Sequence, residues 1–295
     1  MRSHHLFFGV VALSGLPLLG CSSDATTTPT AASVEYLGVG DSIAYGDNGF
    51  VDHTTAARPD PSAFVGYPDL VGKESFGGHY VNLGCPGATT GSFSSLDEMD
   101  NGCRAIQTDV PSILHVSYTT TQADKAQEYL SMDQVKLITV SLGGNDLLLT
   151  LKGCTDLTPD DAAAVLQCAL GRLTGTLDTG AMNLAALLKR FRDEGFEGQL
   201  VYVNEYSTYG SADSATFAVQ LWNKRMMSVV TDAGGTVADA FQAFASTSMA
   251  SNGDPCAAGL LIPNPTAGAT PACDSHPSPL GTRLIADTVK ATITP

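Results

Sequence analysis

The sequence VEYLGVGDSIAYG, residues 34–46, joins a short apolar run to a serine that is flanked by glycines. The run at 34–39 is rich in β-branched and apolar residues, which is typical of a buried strand. The glycines at 38, 40 and 46 allow a sharp turn after this strand, so the hydroxyl of Ser42 is expected at the mouth of a sheet. A serine that only caps a helix is the alternative interpretation of the same residues.

Apolar runs and helical patterns alternate along the rest of the chain. Further strands are predicted at 80–83, 137–142, 200–203 and 236–238. Helices are predicted at 63–73, 105–116, 160–173, 177–194, 212–233 and 279–293. Strand, crossover helix, strand is the βαβ pattern, so we expect an α/β fold with a central parallel sheet and helices on both faces.

The composition limits the classes of protein to which the chain can belong. It has 295 residues, 43% of them hydrophobic, which favours one domain with one substantial core, assigned to residues 34–295. The formal net charge is -15, so a nucleic-acid partner is excluded because phosphate binding needs a basic surface. A monomer is expected.

The N-terminal residues 1–21 resemble a bacterial lipoprotein signal peptide. Arg2 precedes an apolar run at 6–19 that is too short to span a bilayer, and the run ends in Leu-Leu-Gly-Cys at Cys21. Residues 22–33 are rich in Ser, Thr and Ala, as a flexible tether would be. We therefore expect export and membrane attachment through a lipidated Cys21. An ordinary signal peptide with an incidental Cys21 is the alternative.

The cysteine count agrees with an exported protein. There are seven cysteines, and lipidation of Cys21 leaves six for disulfides. Fifteen connectivities are possible; the preferred one is local, since each pair then brackets one loop-like insertion: Cys85–Cys103, Cys154–Cys168 and Cys256–Cys273. A zinc site is the competing interpretation, but no Cys-x-x-Cys or His-x-x-x-His spacing occurs, so no metal is expected.

Candidate catalytic residues follow three consecutive predicted strands and precede the last helix. Gly84 and Asn145 can each donate a hydrogen bond to a reacting carbonyl oxygen, although Gly and Asn are also common in turns. Parallel strands end at one edge of a sheet, which would bring both residues close to Ser42. His276 lies at a loop-to-helix junction, where it can act as a base. Structural or substrate-contacting roles are assigned to His53, His79 and His115.

These motifs together resemble the four conserved blocks of the SGNH, or GDSL-type, hydrolases: Gly40-Asp41-Ser42, Gly84, Gly143-x-Asn145-Asp146 and His276-Pro277. The resemblance implies a flavodoxin-like three-layer α/β/α fold, no cofactor, and hydrolysis of acyl esters through an acyl-enzyme. It implies that Ser42 is the nucleophile and His276 the base, with an oxyanion hole formed by Ser42, Gly84 and Asn145. Asp41 and Asp146 are expected to be structural. The secreted bacterial esterase and lipase branch of the family also implies the local disulfide pairing.

One position departs from the family pattern. An Asp usually lies three residues before the His, whereas Cys273 occupies that position here and Asp274 lies two before. Either the Asp274 carboxylate or the main-chain carbonyl of Cys273 could hold the far N–H of His276, and the carbonyl is favoured. Small-molecule or lipid esters are the expected substrates. A carbohydrate O-deacetylase and a non-catalytic surface lipoprotein that binds glycan or lipid are the alternative functions.

Overall fold

The computed structural model describes residues 34–49, 60–131, 134–208, 214–266, 268 and 272–294. Within these ranges five strands form one parallel sheet: β1 (Tyr36–Gly40), β2 (Tyr80–Asn82), β3 (Leu137–Ser141), β4 (Gln199–Val203) and β5 (Thr236–Ala238). Their order is β2-β1-β3-β4-β5, so the direction of winding reverses between β1 and β3. Open sheets of this kind bind ligands beyond the carboxyl ends of the strands at such a reversal.

Alternate residues of each strand supply two separate hydrophobic cores. In β1, Leu37 and Val39 face one core, which also contains Trp222, while Tyr36 faces the other. This division follows from the two-residue period of side chains along a strand. Because both faces of β1 and β3 are covered, every residue of these two strands is buried. The expected three-layer α/β/α fold is confirmed.

Helices cover both faces of the sheet. In chain order they are α1 (Ser42–Tyr45), α2 (Tyr67–Ser75), α3 (Cys103–Asp109), α4 (Gln122–Leu130), α5 (Gly144–Thr155), α6 (Ala162–Asp193), α7 (Ser214–Asp232), α8 (Ala240–Ser248) and α9 (Pro279–Lys290). The core on the α3, α4, α6 and α7 side is the larger, and α2, α8 and α9 pack on the opposite face.

Several helices differ from their predicted bounds. The two helices predicted at 160–173 and 177–194 are one continuous helix, α6, which runs through Gly171 and Gly175. A glycine costs a helix only about 1 kcal/mol, and the buried leucines of α6 outweigh that cost. The helix predicted at 105–116 ends at Asp109 and is followed by a short 3₁₀ turn that starts at Pro111. The helices α4, α5 and α8 were not predicted.

Three disulfides join Cys85 to Cys103, Cys154 to Cys168 and Cys256 to Cys273. This is the local pairing that was predicted. The third bridge ties the loop after α8 to a two-stranded antiparallel hairpin of β6 (Leu261–Pro263) and β7 (Cys273–Pro277). That hairpin lies outside the main sheet.

No helix in the described ranges combines the length and hydropathy of a transmembrane span. The predicted signal peptide at 1–21, the tether at 22–33, the lipidated Cys21 and the loop residue His53 all lie outside the described residues.

Candidate active site

Ser42 lies where β1 turns into α1. Gly40 has φ +147°, and a Cβ there would lie 2.3 Å from the carbonyl oxygen of Ser141 on β3, so only glycine fits this turn. The Asp41 carboxylate caps α1 by accepting from the N–H of Ile43 at 3.0 Å. Ser42 is the first residue of α1 and is 9% exposed. The local geometry therefore presents the Ser42 hydroxyl at the carboxyl edge of the sheet.

A cavity of about 1070 Å³ opens at this edge. Its polar end is lined by Asp41, Ser42, Asp47, Asn145, Glu205, Ser275 and His276. Its other end is lined almost entirely by aliphatic side chains of α3, α5, α6 and α7, including Ile106, Leu147, Leu148, Leu151, Leu166, Leu170, Leu173 and Val219. Three of the predicted site residues, Ser42, Asn145 and His276, therefore line one cavity.

His276 is held by Asp274. The Oδ1 atom of Asp274 is hydrogen-bonded to Nδ1 of His276 and also accepts from the main-chain N–H of His276 at 2.9 Å. Both residues belong to β7, where side chains two apart lie on the same side of the strand. The prediction that the Cys273 carbonyl orients His276 is therefore wrong, because a carboxylate on the same side of the strand reaches the ring.

The charges around His276 favour its protonated form. Burial lowers the pKa of His276 because it disfavours a charged ring. The hydrogen bond to Asp274 and the negative charges of Asp47 and Asp41 have a larger, opposite effect, so the pKa is raised above its ordinary value of 6.5. The pKa of Asp274 is lowered by the same hydrogen bond, again against the effect of burial. This is the arrangement that stabilises an imidazolium while a serine is attacking.

Ser42 and His276 make no direct hydrogen bond within the described residues, although both line the cavity. Contacts between a nucleophile and its base are commonly long until substrate binds. The Asp41 carboxylate, next to Ser42 in sequence, is close enough to His276 to influence its pKa. Ser42 on α1 and His276 on β7 lie on elements that contact each other beside the cavity.

Asn145, the second residue of α5, is fixed by two hydrogen bonds. Its Nδ2 atom donates to the carbonyl of Ala88 at 3.0 Å, and its Oδ1 atom accepts from Nδ2 of Asn101 at 3.0 Å. An amide nitrogen carries two hydrogens, so one remains to point at a substrate oxygen. Asn101 was not predicted as a site residue, since nothing in its loop distinguishes it from other turn asparagines.

Gly84 does not occupy the position predicted for it. Its N–H already donates to Oδ1 of Asn82 at 2.9 Å, and Gly84 is absent from the described residues that line the cavity. Its close neighbour is the main-chain nitrogen of Tyr45, which a Cβ at Gly84 would approach to 2.4 Å. The assignment of Gly84 to the oxyanion hole is thus corrected, and the glycine serves the packing of β2 against α1.

Gly87, three residues later, does line the cavity. It has φ +85°, and a Cβ there would lie 2.3 Å from the carbonyl oxygen of Asn101. Its own carbonyl accepts from the N–H of Asn101 at 2.8 Å, while its N–H makes no hydrogen bond within the described residues. The sequence analysis considered only Gly84, and nothing in Gly84-Cys85-Pro86-Gly87 shows which of the two glycines faces the cavity.

Two further polar residues hold the turns around Ser42 and Asn145. Gln122 of α4 clamps Gly40 through both amide atoms: Oε1 accepts from the Gly40 N–H at 2.6 Å, and Nε2 donates to its carbonyl at 2.9 Å. The Asp146 carboxylate accepts from the hydroxyl of Thr90 at 2.6 Å and from its N–H at 3.0 Å. The structural role expected of Asp146 is confirmed, whereas Gln122 was not identified because α4 was not predicted.

Solved structures share this fold. The phospholipase A1 of Streptomyces albidoflavus is 15% identical over 88% of this chain and 100% of its own, with a TM-score of 0.55. An extracellular lipase of Streptomyces rimosus has the same identity and coverage, with a TM-score of 0.52. An acetylxylan esterase of Geobacillus stearothermophilus is 14% identical over 88% of this chain and 93% of its own, with a TM-score of 0.50.

No curated protein sequence matches the chain significantly. The model of the GDSL-like lipase/acylhydrolase family matches residues 39–284, which include Ser42, Asn145 and His276. The match spans most of the chain and contains the last two residues of β1, strands β2 to β5 and the β6–β7 hairpin. The chain therefore belongs to the GDSL-like lipase/acylhydrolase family and is a carboxylic ester hydrolase.

Proposed function

We propose that the protein hydrolyses acyl esters with Ser42 as nucleophile and His276 as its general base. Asp274 fixes the tautomer of His276, so that Nε2 is free to accept the proton of Ser42. The N–H groups of Ser42 and Gly87 and the Nδ2–H of Asn145 form the oxyanion hole. The positions of Gly87, Asn145 and His276 along one cavity support this assignment, as does the hydrogen bond of His276 to Asp274.

The reaction has two steps of the same kind. Ser42 Oγ forms a bond to the acyl carbon while its proton passes to His276 Nε2, and the carbonyl oxygen becomes an oxyanion held by the three donors. The ester C–O bond then breaks, and His276 returns the proton to the leaving alcohol. In the second step His276 takes a proton from water, and the water oxygen attacks the acyl carbon. The bond between the acyl carbon and Ser42 Oγ then breaks, the acid leaves, and His276 returns the proton to Ser42.

The apolar end of the cavity supports a medium or long acyl chain as the substrate. Leu148, Leu151, Leu166 and Leu170 are 44% to 49% exposed although they line the cavity, so they form an open aliphatic trough between α5 and α6. An acetyl group would leave this surface in water, whereas an alkyl chain would bury it at roughly 0.8 kcal/mol per CH₂. This trough favours esterase or lipase activity over carbohydrate O-deacetylation.

A series of p-nitrophenyl esters from acetate to palmitate tests the proposal on the soluble domain. In Leu170→Gln the ratio of kcat/KM for palmitate to that for acetate should fall by about tenfold, since a polar group interrupts the trough. Met182→Gln is the matched control, because Met182 is 64% exposed on the same helix but does not line the cavity.

Two results would contradict this proposal. A preference for acetylated xylooligosaccharides over every p-nitrophenyl ester would make the protein an O-deacetylase. Binding of lipid or glycan without turnover of any ester would make it a non-catalytic lipoprotein.

We also propose that Cys21 carries the membrane anchor of an exported protein. The Leu-Leu-Gly-Cys motif supports it, and three disulfides are consistent with export to an oxidising compartment. Cys21→Ala should move the protein from the membrane fraction to the soluble one with the kcat of the hydrolase domain preserved. Sedimentation with membranes after a high-salt wash would show that Cys21 is not the anchor.

A further inference from the structure

Glu205 lines the polar end of the cavity but takes no part in the proposed steps. It follows β4, beside β3 at the carboxyl edge of the sheet. Its Oε1 atom accepts from the N–H of Gly144 at 2.9 Å, and Gly144 is the residue before Asn145. The carboxyl group is therefore hydrogen-bonded to the Gly143–Gly144 peptide group, at the residue directly before Asn145.

The main chain of Glu205 is held in place by Asn223 of α7. The N–H of Glu205 donates to Oδ1 of Asn223 at 3.0 Å, and Nδ2 of Asn223 donates to the carbonyl of Glu205 at 2.7 Å. A Cβ at Gly144 would lie 3.1 Å from Oε2 of Glu205, so the carboxyl group packs closely against the first turn of α5. The Glu205 carboxyl group is therefore held in a fixed position at the wall of the cavity.

The surroundings of Glu205 disfavour its negative charge. Withdrawal from water, followed by the carboxylates of Asp41 and Asp146, raises the pKa of Glu205 to about 8, and the N–H of Gly144 only partly opposes this. Burial also raises the pKa of Asp41. A negative charge on Asp41 helps to keep Glu205 neutral.

Among the described residues, three tyrosines also interact electrostatically with Glu205. They come from α2, from β4 and from the residue after Glu205: Tyr67, Tyr202 and Tyr206. The pKa of each phenol is raised by its burial, so these groups stay uncharged throughout the pH range in which Glu205 titrates. None of them can therefore neutralise a Glu205 carboxylate.

We propose that Glu205 is a positioning residue that works as a neutral carboxylic acid, holding the Gly143–Gly144 peptide directly before Asn145 and slowing hydrolysis when it ionises. The inference rests on the proposed Ser42 mechanism. A carboxylate beside the oxyanion hole repels the charge that develops on the carbonyl oxygen, which exists only in the transition state. Ionisation of Glu205 therefore lowers kcat with little effect on KM.

The pH profile of kcat between about pH 6 and pH 10 tests this, with a short p-nitrophenyl ester and correction for spontaneous hydrolysis. In the wild type, kcat should rise as His276 loses its proton and then fall by about tenfold or more as pH rises through the pKa of Glu205. Each profile is normalised to its own maximum.

Glu205→Gln keeps an uncharged acceptor for the N–H of Gly144, so its profile should lack the alkaline fall. Glu197→Gln is the control, because Glu197 is an exposed carboxylate that does not line the cavity, and its profile should follow the wild type. An alkaline fall that persists in Glu205→Gln overturns the inference and leaves the Ser42 mechanism standing. Absence of ester hydrolysis at every pH overturns both.

A second measurement needs no variant. In wild-type protein labelled with ¹³C at the glutamate carboxyl carbon, one resonance should titrate above pH 7, far from the ordinary range of glutamate near pH 4. If every glutamate resonance has finished titrating below pH 7, Glu205 is a carboxylate in the working enzyme and the inference is wrong.

Discussion

Ser42 and His276 reach the same cavity from two differently built parts of the molecule. Ser42 follows β1, a strand that is paired on both sides within the central sheet. His276 lies on the two-stranded β6–β7 hairpin, outside that sheet and tied down by the Cys256–Cys273 bridge. The position of Ser42, the proposed nucleophile, is therefore set by the register of the sheet, whereas that of His276, the proposed base, depends on a loop segment and a cross-link.

The hydrogen bonds around Ser42 and around His276 also come from different kinds of neighbour. Around Ser42, buried main-chain groups are hydrogen-bonded to side chains from distant elements: the Gln122 amide, for example, binds the N–H and the carbonyl of Gly40. Around His276, the carbonyl of Ser275 accepts from the hydroxyl of Tyr206 at 2.7 Å, and the ring depends on Asp274 of the same strand. Substitutions around Ser42 should therefore lower kcat directly. Substitutions around His276 should first change the orientation of its ring and the pH dependence of activity.

The largest effect is expected at Ser42 itself. Ser42→Ala should lower kcat by about 10⁴-fold or more, because no other group supplies the attacking oxygen and the nucleophile and base act as a unit. His276→Ala should lower it by a similar factor. Steady-state hydrolysis of p-nitrophenyl butyrate measures this, with circular dichroism as the check on folding. Activity within tenfold of the wild type in either folded variant would refute the assignment.

The next largest effect is expected at Asp274. Asp274→Asn should lower kcat/KM by about 10³-fold, since the ring loses both its tautomer control and the carboxylate that stabilises the imidazolium. The raised pKa of His276 places the acid limb of the wild-type profile above pH 6.5, because activity needs the neutral ring. Without Asp274 that limb should move to lower pH.

The pH profile of kcat/KM checks this prediction, because its limbs report the free enzyme. A loss of less than about tenfold, with an unmoved acid limb, would restore the Cys273 carbonyl as the group that orients His276.

A smaller effect is expected on the oxyanion side. Asn145→Ala should lower kcat by about 10²-fold, the typical consequence of losing one oxyanion donor. Asn101→Ala should cost about tenfold, since it frees the Asn145 amide without removing it. The two variants and their double mutant form a cycle in which the effects should not add. A change confined to KM in Asn145→Ala would make this residue a ground-state binder.

The smallest effect on kcat is expected from removing a disulfide bond. Replacing Cys256 and Cys273 by serine should lower the free energy of unfolding by about 3 kcal/mol and reduce kcat by less than tenfold, because the hairpin keeps its antiparallel pairing. The matched control replaces Cys154 and Cys168, which close a loop of similar length between α5 and α6.

Chemical denaturation and kcat for a short ester measure both effects of the bridges. If the control reduces kcat for the short ester as much as the Cys256–Cys273 variant does, the bridge beside His276 has no special part in alignment.

The sheet, the disulfide pairing and the placement of Ser42, Asn145 and His276 on one cavity could all be predicted from the sequence. Each of these rests on a local pattern: apolar runs that end in glycine, polar residues directly after a strand, and cysteines that bracket one loop. The register then brings these residues together, because consecutive parallel strands end at one edge. Family membership follows from the same motifs.

The neighbours that complete the site were visible only in the folded structure. The spacing of Asp274 and His276 allows their contact, but the choice of Asp274 over the Cys273 carbonyl depends on where the carboxylate lies. The choice of Gly87 over Gly84 depends on which N–H is already bonded. Asn101, Gln122 and Glu205 come from separate elements, so the sequence carries no sign of their contacts with the site. The physical reason is that hydrogen bonds across the fold act over a few ångströms in space between residues that are far apart in the chain.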